Sequence, residues 1–139
     1  MPCKHLMTGA AALAFYVALV SGIVLPFPAL AAAQDYRFEL AGKPQAARGG
    51  KSTVSVRVVH IPDNKPVKDA VIFESKADMS PMAMPTMTAP IKPLPPARDG
   101  IYRFEVEPGM AGMWAITLAA KVQGEAETVR GTVTADLVN

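Results

Sequence analysis

The stretch TVSVRVVH, residues 53–60, sets Val54, Val56 and Val58 against Ser55 and Arg57. Strict apolar-polar alternation is the period of a strand with one face buried and the other in water. The same period recurs on both sides of it. Tyr36, Phe38 and Leu40 share a face, as do Tyr102, Phe104 and Val106, then Trp114, Ile116, Leu118 and Ala120, then Val129, Val133, Ala135 and Leu137. The opposite faces carry Arg37, Glu39, Arg103, Glu105, Glu107, Thr117 and Thr132. The run AVIFES, residues 70–75, adds another strand, and AGKPQAARGGK, IPDNKPV, ARDG, EPGMAG and QGE punctuate the series as turns. No segment after Gln34 is an amphipathic helix. The pattern predicts an all-β fold, an immunoglobulin-like antiparallel β-sandwich of about seven strands in roughly 105 residues.

Residues 79–96 resist this reading, because six prolines fall at 81, 85, 90, 93, 95 and 96. Proline donates nothing to a ladder, so a loop with at most an edge strand over 86–92 is expected.

Residues 1–33 have a different composition. Lys4 precedes an apolar run from Ala10 to Leu25, which meets Pro26, Pro28 and the small-residue tail Ala31-Ala32-Ala33. This is the layout of a secretory signal peptide, and it makes 34–139 the exported domain. The alternative is an uncleaved membrane anchor, since residues 6–25 supply the roughly 20 residues a bilayer requires. Cys3 lies before the apolar run, so the domain itself has no cysteine. Disulfides, thiolate nucleophiles and cysteine-ligated zinc or iron-sulfur centres are thereby excluded from it. Without Lys4, the 14 basic residues fall to 13 against 12 acidic ones, and no basic run suggests nucleic acid. Ser52, Ser55, Ser75 and Ser80 lie in no nucleophile motif, and one histidine serves the whole domain, so no enzyme is expected.

The six methionines of the domain fall in two groups: Met79, Met82, Met84 and Met87 in DMSPMAMPTM, and Met110 and Met113 in PGMAGMW. None lies in the middle of an expected strand, which argues against ordinary core filler. Strand direction places both groups at one end of the sandwich. A neutral, polarizable thioether suits Cu(I). Met82 and Met84 would stand on one side of an extended backbone with Cα atoms roughly 6.5–7 Å apart, and Pro81 and Pro85 would restrict that backbone. All six methionines are candidate ligands. The ordinary alternative is that they cover the open end or form an adaptable protein-contact surface. His60 ends its strand at the opposite pole and reads as a surface residue. Asp78 can lend charge to a bound cation but reads as a solvated turn residue. Trp114 can cover an ion but, with Ile116 and Leu118, reads as core.

The stretch KPVKDAVIFESKADMSPMAMPTMTAPIKPLPPARDGIYRFEVEPGMAGMWAITLAAKVQGEAETVRGTVTADL resembles the YtkA-like/FixH-like domain. The resemblance rests on Pro66-Val67 with Ala70, the methionine-rich segment, Asp99-Gly100 followed by Tyr102, and Met110 with Gly112 and Trp114, and it spans about 53–137. It implies an exported immunoglobulin-like sandwich of the bacterial periplasm, associated with copper handling or heavy-metal efflux. An uncleaved leader would instead hold it at the inner membrane, facing the periplasm. The chain departs from the CopC-like copper carriers in having no histidine at the start of the domain or near the methionines, which leaves Cu(I) rather than Cu(II). The expected function is a non-enzymatic Cu(I)-binding protein or chaperone. The alternative is an accessory module that contacts an efflux or oxidase-assembly protein.

Overall fold

A computed structural model of the chain describes residues 33–98 and 100–139. Of the expected leader or anchor over 1–33, all but Ala33 lies outside these residues, as does Asp99. Ten strands form among the described residues: β1 (Tyr36–Leu40), β2 (Gln45–Ala47), β3 (Lys51–His60), β4 (Lys65–Pro66), β5 (Val71–Met79), β6 (Met84–Ala89), β7 (Ile91–Arg98), β8 (Ile101–Val106), β9 (Gly112–Lys121) and β10 (Val129–Leu137). They make two antiparallel sheets. One runs β1-β3-β8-β7, with the short β2 and β4 also paired to β3; the other runs β10-β9-β5-β6. Among the described residues no helix is long and apolar enough to cross a membrane.

The two-residue alternation builds the core directly. Val54, Val56 and Val58 are fully buried. Across β1 they meet the face carrying Phe38 and Leu40, because Phe38 is paired with Val58 and Leu40 with Val56. The facing sheet contributes Trp114, Ile116 and Leu118 from β9, matched in register by Ala135, Val133 and Gly131 of β10. Each large side chain so buried contributes about 1.5–3 kcal/mol. Gly131 is the one inward position of β10 without a side chain, and the reason is steric: a Cβ there would lie 2.5 Å from Cδ2 of Phe38. Gly131→Ala is therefore expected to cost about 1–3 kcal/mol through displacement of the ring. The check is a lowered midpoint in denaturant at unchanged m-value; an unchanged midpoint would mean that the ring is not fixed.

The proline-rich segment is where the fold differs most from expectation. Residues 84–98 are not a loop with one edge strand but two strands, β6 and β7, which lie in different sheets with Pro90 between them. Both occupy sheet edges, where one side of the backbone needs no ladder partner and proline is tolerated. β6 engages β5 only at Ala77, Asp78 and Met79, while β5 is paired with β9 from Val71 to Asp78 with a bulge around Phe73. The lower half of β5 therefore has no ladder partner on its outer side among the described residues. Together with β2 and β4, this division of the proline-rich segment accounts for ten strands where about seven were expected.

Some of the residues that carry the family resemblance, Val67, Ala70, Gly100 and Tyr102, meet around the crossover between β4 and β5. The Tyr102 hydroxyl donates to the Val67 carbonyl (3.2 Å) and accepts from the Ala70 amide (3.0 Å). Gly100, at φ +78°, turns beside them, and a Cβ there would lie 3.4 Å from the Val67 oxygen. This part of the pattern fixes a chain crossing rather than a ligand.

Candidate functional site: the methionine end

Register decides which residues share an end. Asp78 near the exit of β5 is paired with Ala115 near the entry of β9, and Leu137 at the exit of β10 is paired with Gly112. Val106 at the exit of β8 is paired with Ile91 and with Ser52. The segments that carry Met79–Met87 and Met110–Met113 thus emerge at the same pole. The short 3-10 turn Ser80–Met82 that leaves β5 packs against β9.

Burial then sorts the six candidates. Met82, Met87, Met110 and Met113 are 38–48% exposed. Met79 is 1% exposed and belongs to the core, with its methyl group against Gly112, where a Cβ would stand 3.3 Å away. Met84 is half-buried, packs against the same core and is paired with Met79. Met79 is therefore core filler, contrary to expectation, because β5 continues four residues past Ser75 and carries it inside. The Met82–Met84 pair also departs from expectation, because its backbone is not extended. Met82 closes the 3-10 turn, and Ala83 adopts a left-handed conformation at φ 59°. Met82 of that pair is exposed, whereas the Met84 side chain packs against the core.

Asp78 holds this arrangement. Rather than being a solvated turn residue it is buried, accepting from the Ser80 hydroxyl and from the Ser80 amide (3.0 Å), and pairing with Lys76 Nζ at 3.1 Å. The Ser80 hydroxyl bond, with the Ser80 amide and Lys76 adding to it, lowers the Asp78 pKa below its ordinary value of 3.8 against the opposing effect of burial. A group with a depressed folded pKa stabilises above its unfolded value and loses that contribution as pH falls through the folded value. The difference in thermal midpoint between the parent and Asp78→Asn is thus expected to be full above about pH 5 and to close in stronger acid. A difference independent of pH would show that the charge plays no part. The sequence signal for this role was available: an aspartate two residues before a serine, followed by proline in the first turn, is an Asx-turn pattern.

Trp114 is buried in the core, and its indole N–H donates to the Met110 carbonyl at 3.2 Å. The sole tryptophan of the chain is thereby tied to the loop that carries the second methionine group. Met113 stands cross-strand from Asp136. Val138, 49% exposed, follows Leu137 at the same pole, where its carbonyl accepts from the buried Ser52 hydroxyl at 2.7 Å. The exposed valine was not singled out from sequence, since nothing there links the last residues to the methionines.

His60 lies at the opposite pole. Its Nδ1 is 2.8 Å from Asp63, and its ring is 5.0 Å from that of Tyr36. Tyr36 donates to Glu125 at 2.7 Å, and its own pKa is pushed up to about 12, first by burial and then by that carboxylate. Among the described residues, no group of three His, Cys, Asp or Glu side chains is arranged to hold a metal. Thioethers are the donors concentrated in one place.

A family model described as YtkA-like matches residues 30–119, a span that includes the crossover cluster and both methionine groups but not β10. No curated protein matches the chain. A solved structure titled "ZirS C-terminal Domain" is 13% identical, covering 99% of this chain and 88% of its own, at a TM-score of 0.39, which is too low to carry an argument. The chain belongs to the YtkA-like family.

Proposed function

We propose that this domain is a non-enzymatic Cu(I)-binding protein of the periplasm, acting in copper handling or heavy-metal efflux. The observation that supports it is the gathering of four exposed thioethers, Met82, Met87, Met110 and Met113, from two chain segments at one pole. These donors fit Cu(I), which accepts neutral, soft ligands at low coordination number. Their flexible side chains can converge on an ion from a surface whose backbone is already set by β5, β9 and Asp78.

A thioether has no proton to lose, whereas a histidine or thiolate site must shed one before binding. Cu(I) affinity measured by chromophoric competition is therefore expected to change little between about pH 7 and about pH 5.5, a window that spans the histidine reference value of ~6.5. His60→Ala should leave it unchanged. A steep loss of affinity in acid, or on removal of His60, would overturn the thioether assignment.

One observation favours a second reading, in which this pole contacts a protein of an efflux or oxidase-assembly system. Val138 is exposed at the same pole as the methionines, and exposed apolar side chains suit a protein partner.

A further inference from the structure

We propose that the same pole is a reversible oxidation site, in which Met82, Met87, Met110 and Met113 are converted to sulfoxides and restored by a methionine sulfoxide reductase while the fold persists. The inference goes beyond copper and does not depend on it. It rests on how exposure is divided among the methionines. Oxidation of a thioether requires the oxidant to reach a sulfur lone pair. Four sulfurs sit on exposed side chains, whereas Met79 is sealed against Gly112 beneath the surface and Met84 is packed against the core. Trp114, the other oxidation-prone side chain nearby, is 1% exposed.

The chemistry closes with a peroxide as oxidant and a dithiol as reductant. The sulfur lone pair attacks one peroxide oxygen, the O–O bond breaks, an S–O bond forms and water leaves; sulfur loses two electrons and the peroxide gains them. In the return step a thiol attacks the sulfoxide sulfur, a second thiol displaces it to form a disulfide, and the oxygen departs as water. A sulfoxide at Met79 would place a polar group in the hydrophobic core, at a cost the fold would register. Exposed sulfoxides stay in water. The arrangement therefore lets the surface change from soft and apolar to polar without reaching the core, and it removes the property that either a copper ion or an apolar partner would use.

The test treats the purified protein with hydrogen peroxide and follows each methionine by peptide mass spectrometry, with β-sheet content followed by circular dichroism. The four exposed residues should oxidise at least about tenfold faster than Met79, with the sheet signal unchanged. The difference should vanish when the same reaction is run in guanidinium. Methionine sulfoxide reductases of both stereochemical classes, supplied with dithiothreitol, should return the four peptides to their original mass. Oxidation of Met79 at the common rate, loss of sheet signal as the four convert, or sulfoxides that resist both reductases would each overturn the proposal. No metal enters the assay, so its outcome is separable from that of the copper reading.

Discussion

Replacing Met82, Met87, Met110 and Met113 together by leucine is expected to weaken Cu(I) binding at least about 100-fold, because leucine keeps the apolar volume and removes the four exposed thioethers of the described residues. The folded state should hardly notice. Leucine and methionine are close in volume, and such exchanges usually cost less than about 1.5 kcal/mol even in a core; these four side chains are exposed. Competition against a chromophoric Cu(I) chelator gives the affinity and denaturant unfolding gives the control. Trp114 supplies a second readout, since its indole is bonded to the Met110 carbonyl and its emission should respond to an ion held there in the parent and not in the variant. If the quadruple variant competes for Cu(I) as well as the parent, the copper proposal fails and the protein-contact reading replaces it.

Met79 should behave in the opposite manner. Met79→Ala is expected to destabilise the domain by about 2–5 kcal/mol, the range for truncating a buried methionine where the surroundings cannot fully collapse. Its methyl group lies against Gly112, and its own strand is held on both sides by β9 and β6, so the backbone around it is not free to close the space. Met79→Leu should cost less than about 1.5 kcal/mol and leave Cu(I) affinity as it was. Urea or guanidinium titration measures the first effect. A loss below about 1 kcal/mol for the alanine variant would contradict the burial of this side chain.

The sandwich was legible because its period is short and its faces differ. In β10 the buried residues alternate with exposed or partly exposed ones throughout, and in β3 they do so from Lys51 to Val58, while the central strand β9 keeps Trp114, Ile116 and Leu118 in alternation and buries Ala115 and Ala119 as well. The proline-rich segment was not legible for a specific reason. Proline signals the lack of a donor, and a residue with no donor is compatible both with a loop and with the outer side of an edge strand; only the pairing of β6 with β5 and of β7 with β8 separates the two. The methionine site was readable as a location and not as a set. The direction of β5, β8 and β9 sufficed to bring the two groups to one pole. Whether β5 ends at Ser75 or at Met79 decides if Met79 faces water or the core, and strand ends are the least determined part of any periodic reading. The Met82–Met84 pair was misjudged through its backbone, since the left-handed Ala83 that breaks the extension is a conformation alanine seldom adopts.

The open side of the sandwich bears on how one molecule meets another. Among the described residues the lower half of β5 and the outer side of β7 have no ladder partner, the arrangement by which one molecule can extend the sheet of another. Both are blunted. β7 carries Pro93, Pro95 and Pro96, which offer no amide protons to an incoming strand, and its own ladder is irregular between Leu94 and Arg98. The β5 edge has no proline, but the bulge at Phe73 breaks its alternation, and Glu74 and Lys76 set charges on either side of Ser75. The prolines that obscured the strand in the sequence thus act as guards, withholding amide protons at an edge where a second molecule would otherwise find donors to pair with.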